Sequence, residues 1–401
     1  MWICGTTPFP AANSASGPAM NFNRIASGTR ILASAALGIL LAACPSPNET
    51  VTGRDFPNSQ REIYSVNALA ETVSVLDPVT LDFHADAFPT GKWPNALVPF
   101  EGKLYIVDSG DNAIRVVRES DFGVLALIRL GKNRNPWTMV IDPVLRKGYV
   151  SNFLAGTVTV IDLETDTIIT EIPVGKGPEG GCWMDGRVYF GNTNLDGSSF
   201  GEGTVSVIDS STDAVVGTIS IQADGWTAGM PGGNPQSMIA VPSRNEIHVV
   251  LTGAYGEAEG DDGEIVILDA SDPDPANLVV KDRLTVGGSP VIGPDSFDGT
   301  TGRTWLAGVG GIMTYIIPAA GAPAGDPALA PAIEHGSGDL FYSGSKEAFF
   351  AGACLDPGSA RLFVADFNGD RLLVLDPETG NIVKSIRASD GPQQPVLVID
   401  N

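Results

Sequence analysis

From residue 62 onward the chain alternates runs of four to six β-branched and aromatic residues with breaks rich in Gly, Asn, Asp and Pro. Inside a run such as Thr157-Val158-Thr159-Val160, polar and apolar residues change places at every step. A period of two marks a strand whose two faces meet different surroundings. The breaks are turn chemistry. The pattern predicts an all-β domain of short strands joined by tight turns.

The runs also recur as a phrase. Its clearest copy is Gly148-Tyr149-Val150-Ser151-Asn152 followed by Thr157 to Asp162, and others open at Ile63-Tyr64 and Leu104-Tyr105. The phrase aromatic falls at Tyr64, Tyr105, Tyr149, Tyr189, His248, Trp305 and Phe363, six steps of about 50 residues each. Four short antiparallel strands at a spacing of ~40–60 residues predict a β-propeller. The repeat region begins inside its phrase, at Glu62-Ile63-Tyr64, and ends on a strand, Pro395 to Asp400, with no phrase after it. The C-terminal strand is therefore expected to complete the first blade, pairing two bare edges and closing a seven-bladed ring over residues 62–401. An Asp ends the third strand of several copies, with a Thr three places on: Asp77/Thr80, Asp162/Thr165, Asp209/Thr212 and Asp376/Thr379. Such an Asp can accept hydrogen bonds from the backbone of the turn it opens, so these acids read as structural.

Tyr149-Val150-Ser151-Asn152 differs from the name of the YVTN repeat family only by Ser for Thr, and the chain resembles that family over roughly residues 62–401. The resemblance implies that the segment before each phrase is the innermost strand and that residues around its leading Pro line one mouth of the channel. Aligned this way, Asn95, Trp137, Glu179, Gln236 and Asp295 become the candidate ligand-binding residues. Oxygen ligands on separate rigid strands would suit Ca²⁺ or Mg²⁺ or a small ligand. Propeller lactonases, a different family, hold a divalent metal in the channel, which makes a metal-dependent hydrolase an alternative; no lactonase motif is present.

The first sixty residues carry an address. Arg24 and Arg30 precede the apolar run Ile31–Ala43, which ends Leu41-Ala42-Ala43-Cys44. A basic start, a short apolar stretch and small residues at a cut site read as a secretory signal, too short to cross a ~30 Å hydrocarbon core. Leu-Ala-Ala-Cys resembles the bacterial lipobox, which implies lipidation of Cys44 and a mature chain starting there. Met20 is the expected true start, residues 1–43 a leader, and 44–61 a flexible tether. Pro45, rather than Asp, after the Cys suggests sorting to the outer membrane.

Composition then narrows the partners. With 24 Lys+Arg against 47 Asp+Glu the net charge is -23, and loss of Arg24 and Arg30 with the leader deepens it to -25. That sign argues against nucleic acid and against direct adhesion to an anionic membrane surface. Cys182 and Cys354 are expected as free buried thiols facing each other across the channel, too far apart for a disulfide. Asp366-Phe367-Asn368-Gly369-Asp370 reads as a hairpin turn and not a calcium loop. Acidic loops around Asp196 and Glu257–Glu264, the Trp226–Asn234 loop with Trp226 and Met230 as anchors, and Ala319–Pro331 are candidate partner surfaces. No Ser-His-Asp group, haem motif or zinc spacing is present. The reading is a lipid-anchored envelope propeller that binds a protein or small ligand, with the hydrolase and a structural envelope protein as alternatives.

Overall fold

The computed structural model describes residues 54–195, 201–222, 234–253, 263–319 and 330–399. Cys44, Met20, Asp196, Trp226, Met230 and most of the Glu257 loop lie outside these residues. Seven antiparallel sheets make up the described chain: six have four strands, and the sixth blade has five. Among the described residues helix is confined to two short 3₁₀ turns, Pro242–Arg244 and Pro275–Asn277. The seven innermost strands, which start at residues 392, 94, 136, 178, 235, 291 and 350, neighbour one another in that order around a central channel.

The ring closes as the termini of the repeat region demanded. Arg61–Asn67 pairs on one side with Thr72–Leu76 and on the other with Pro392–Ile399, with Ile63 opposite Leu397 and Asn67 opposite Pro392. A sheet presents its faces, not its edge, to its neighbours, so each blade buries one apolar face against the blade before and one against the blade after. Blades 4 and 5 share Met184, Tyr189, Val207, Val249 and Leu268, while blades 7 and 1 share Ile63, Leu76, Phe363 and Val374. The remaining interfaces are filled in the same way.

This orientation corrects the expectation for the cysteines. Both thiols are free and buried, but Cys182 packs between blades 4 and 5 and Cys354 between blades 7 and 1. Side chains stand off the faces of a strand, and those faces look toward neighbouring blades. The two cysteines therefore belong to separate cores and do not confront each other across the channel.

Polar clasps reinforce the apolar interfaces. Lys147 Nζ reaches from blade 3 to Asp213 Oδ2 of blade 4 at 2.8 Å, and Tyr149 donates its hydroxyl to Asp213 Oδ1 at 2.7 Å. Lys103 and Tyr105 grip Asp166 of the next blade in the same fashion. In blades 4 to 7 an Arg takes the part: Arg187, Arg244, Arg303 and Arg361 each donate to a backbone carbonyl of the following blade. Blade 1 is different. There Arg54, from the segment placed in the tether by sequence, bonds Glu62 and stacks over Phe56 and Phe122. Its backbone N–H reaches the carbonyl of Asp121 in blade 2, so residues 54–57 lie against the ring.

The turn acids do what their spacing predicted. Asp162 Oδ1 accepts from the N–H groups of Glu164 and Thr165 at 2.8 and 2.9 Å, and Asp376 Oδ1 from Glu378 and Thr379. Gly369 N–H likewise caps Asp366, which makes residues 366–370 a closed hairpin turn.

Two outcomes follow from this packing. Replacing Asp213 by Ala strips the buried Tyr149 hydroxyl of its acceptor and should lower unfolding free energy by about 1–3 kcal/mol, read by urea denaturation; an unchanged midpoint would show that the clasp adds nothing. Truncation after Asp390 should leave the Arg61–Asn67 edge bare and give an aggregated or unfolded product, where a monomeric folded product would contradict closure through the C-terminal strand.

Candidate functional site

Every innermost strand starts at the same rim, called here the entry rim. Near its start the ladder to the second strand skips: between Pro94 and Ala96, Pro136 and Met139, Pro178 and Gly181, Pro235 and Ser237, and Phe350 and Ala353. A bulge leaves a residue unpaired and re-aims its side chain. In blades 2 to 5 and 7 the residue following the first paired position is the one left out of the ladder at the start of its innermost strand. In blades 2 to 5 it is Asn95, Trp137, Glu179 and Gln236, so the structure brings these four predicted residues to equivalent places on one rim.

Asp295 is not among them. The first pair of blade 6 is Val291 with Ala307, so the equivalent place holds Ile292, which packs in the core between blades 5 and 6. The ladder resumes only at Phe297 opposite Thr304, which leaves residues 293–296 as a long bulge. Asp295 sits within it, and its Oδ2 accepts from Leu397 N–H of blade 1 at 3.0 Å. Sequence alignment on Pro294 mistook a proline inside the bulge for the one that opens a strand. In blade 7 the place falls to Ala351. In blade 1 Gln393 follows Pro392 but stays in the ladder opposite Val66, and the skip comes one step later, at residues 394–395. Gln393 was missed because the closing strand was taken to open at Pro395, whereas it opens at Pro392. The signal that could have found it is the Pro392-Gln393 pair itself, matching Pro235-Gln236.

The neighbouring blades hold this rim firmly. Ser151 donates to the carbonyl of Glu179 at 2.8 Å and Ser109 to that of Pro136. Gln393 Nε2 donates to the Pro94 carbonyl at 2.9 Å, and Gln236 Oε1 accepts from the Thr252 hydroxyl at 2.6 Å. Gly180 must lack a side chain, because a Cβ there would collide with the carbonyl oxygen of Gln236 on blade 5. Trp137 is half-buried, and its ring lies 5.6 Å from that of Phe153. Phe153 in turn lies against Gly177, two residues before Glu179.

Glu179 stands apart electrostatically. Its side chain is 3% exposed, and Oε2 is fully buried with no hydrogen-bond partner. Burial of a carboxyl with no such partner favours its neutral form and pushes Glu179 up to about 8. Asp108 Oδ1 and Asp142 Oδ2 are orphaned too, but their second oxygens are held by Arg115 and by the Val144 and Leu145 N–H groups, whereas Glu179 has no such second hold among the described residues. Buried polar atoms are usually satisfied, which makes Glu179 the carboxyl open to a further partner. Asp295, also raised by burial, is at least capped by Leu397.

The donor set does not suit a divalent ion. Among the described residues no three His, Cys, Asp or Glu side chains come together. Glu179 is the one acid at the seven equivalent rim places, and Gln236 Oε1 is already engaged by Thr252. No hydrolytic step through a metal is derived from this arrangement.

Because the folded Glu179 carboxyl lies above its ordinary value of 4.5, the native state keeps this proton longer than the unfolded chain does. The stability it contributes is full below that ordinary value and is lost as pH rises toward about 8, by on the order of 4 kcal/mol. Glu179→Gln should therefore lose less stability than the parent between pH 5 and 8 in chemical denaturation. Parallel losses in both proteins would show that the carboxyl is not held protonated.

Neither a protein-family model nor a curated protein matches this chain. Solved structures do resemble it in fold. A functionally unknown protein from Desulfotomaculum acetoxidans is 14% identical with a TM-score of 0.60, covering 85% of this chain and 99% of its own. A putative 6-phosphogluconolactonase from Bacteroides uniformis is 12% identical with a TM-score of 0.58, covering 85% and 100%. AztD from Citrobacter koseri is 13% identical with a TM-score of 0.53, covering 84% and 97%. At such identities the likeness is one of β-propeller architecture alone.

Proposed function

We propose that this chain is a binding propeller of the bacterial cell envelope, tethered by lipid on Cys44 and taking a small ligand at the entry rim of its channel. The observation that carries the binding reading is the buried, unpartnered Oε2 of Glu179, set among Asn95, Trp137 and Gln236 at equivalent bulged places, with Gln393 beside them on the closing strand. Rigid strands supply few but well-placed polar groups beside an aromatic face, which is how small-molecule sites are commonly built. The chain contributes binding and orientation there, and among the described residues no nucleophile or base hydrogen-bonds the Glu179 carboxyl. This favours a binding module over the hydrolase alternative, because the carboxyl stands without the companion acids that a divalent ion requires. A fold shared with a putative 6-phosphogluconolactonase and with AztD is compatible with either chemistry, since propellers host unrelated functions.

The anchor reading rests on Leu41-Ala42-Ala43-Cys44 after the apolar run. Arg54, ten residues on, lies against blades 1 and 2. The ten residues from Cys44 to Arg54 would span at most ~35 Å when extended, which keeps the ring close to the membrane.

Two measurements test these parts separately. Native mass spectrometry of the exported chain after exposure to an envelope metabolite extract should reveal a small-molecule adduct that Glu179→Leu loses. An adduct retained in that variant would remove the rim from consideration. Labelling with a fatty-acid analogue in cells should disappear in Cys44→Ala, and labelling that persists would overturn the anchor.

A further inference from the structure

We propose that the ligand of the entry rim is a small anion bearing a carboxylate or phosphate group, drawn in over blades 2 to 4 by Lys92, Lys132 and Lys176. The proposal rests on the reading of the rim as a binding site and names the charge of what binds there. These lysines fall in the connections that lead into the innermost strands of blades 2, 3 and 4: Gly91-Lys92 before Pro94, Gly131-Lys132 before Pro136, and Gly175-Lys176 before Pro178. A Gly-Lys step ahead of the leading Pro thus repeats in three consecutive blades. The connections before blades 1 and 6 have Ser389-Asp390 and Gly287-Gly288 in its place.

The pairing of charges around the ring makes this arc unusual. In a chain of net charge -23 a cation has many acids to choose from, and most take one. Lys103, Lys147, Arg134 and Arg146 all hold ion pairs. Lys92, Lys132 and Lys176 are exposed, and their ammonium groups make no ion pair with any described residue. Arg129, the last residue of the strand leading to Lys132, is likewise exposed and without an ion pair among the described residues. Other cations without an ion pair among the described residues exist, but Arg187, Arg361 and Lys384 donate to backbone carbonyls and Arg387 ends the outermost strand of blade 7. Only in blades 2 to 4 do such lysines occupy successive entry connections. Acids do border this arc. Asp111 Oδ2 accepts the backbone N–H of Lys92 at 3.1 Å, and Asp370 and Asp390 lie in the sector of blades 7 and 1. The lysines nevertheless keep their ammonium groups free.

Below the arc, Glu179 agrees with an anion and disfavours a cation. A carboxyl that burial keeps protonated at neutral pH offers an O–H donor to an anionic oxygen. A cationic ligand would first require that proton to leave a buried site. Asn95 and Gln236 can add amide donors, and Trp137 a face for the uncharged part of the ligand.

The test uses the exported chain, residues 44–401, in detergent, titrated calorimetrically with citrate, pyrophosphate and, as a cation, spermidine. Citrate or pyrophosphate should bind and weaken with added NaCl. The combined Lys92→Ala, Lys132→Ala and Lys176→Ala variant should lose about tenfold or more in affinity, as expected for exposed charges acting together. Lys384→Ala, on an outermost strand, should bind as the parent does. Glu179→Gln, which still donates a hydrogen bond, should hold the anion within a few-fold, whereas Glu179→Leu should not. Spermidine binding abolished by Glu179→Leu, with no anion bound, would keep the site and overturn the charge assignment. Anion binding that needs the lysines yet ignores Glu179→Leu would support the arc and overturn the Glu179 site. Binding by none of the three probes, or full affinity in the triple variant, would overturn the proposal.

Discussion

Sheet faces hold this ring together, but they can all be covered only if the two ends of the repeat region meet. The ladder between Arg61–Asn67 and Pro392–Ile399 is where that happens. Without it blade 1 lacks its innermost strand, the Arg61–Asn67 edge faces the channel unpaired, and the Ile63, Leu76 and Phe363 core between blades 7 and 1 is incomplete. Because the apolar faces of each blade pack only against its two neighbours, an open ring would carry two exposed apolar faces, whereas a closed one carries none. The long-range contact between residues about 330 apart in sequence therefore decides the fate of cores that are individually local. Folding should be correspondingly slow, since the cost of joining distant segments precedes the gain.

Acidity is largely a property of the turns. Asp77, Asp162, Asp209 and Asp376 each accept backbone N–H groups just ahead of them, and these hydrogen bonds counter desolvation and hold their carboxyls below the ordinary range. Buried acids are paired in a second way. Burial alone would raise Glu246, but His248, Arg244 and Lys281 converge on it and hold it well down. Asp108 remains raised by burial despite Arg115. Against this background of buried carboxylates each held by at least one cation or amide, Glu179 differs in having neither among the described residues.

The repeat was legible because strand pairing and face packing impose the same residue types at the same step in every blade. Tyr64, Tyr105, Tyr149, Tyr189, Trp305 and Phe363 all proved buried, and His248, which departs from the aromatic series, is buried beside Tyr315 at 3.1 Å. Closure was legible from the missing first strand. The site was legible only where a Pro opens the innermost strand, because that Pro marks the bulge. In blade 6 Val291 stands there instead, and the extra residues of the bulge carry Pro294 into view as a false landmark. The direction of Cys182 and Cys354 was illegible for another reason: strand identity does not say which face a residue takes once a bulge has shifted the register. The lysine arc was illegible because a Gly-Lys step says nothing of charge until closure of the ring sets the entry connections of blades 2, 3 and 4 side by side.

The bulge of blade 6 has a mechanical meaning. Asp295 holds the Leu397 N–H of blade 1, while Ser296 donates to the Ala353 carbonyl of blade 7 at 2.8 Å. One loop thus ties the closing strand to two blades beyond its own sheet. A strand held by a single neighbour can be peeled away one hydrogen bond at a time, with each break loading only the next. Here a pull on the C-terminal end must strain blades 6, 7 and 1 together, so the seam where the ring was joined becomes a load-sharing joint and not its weakest point.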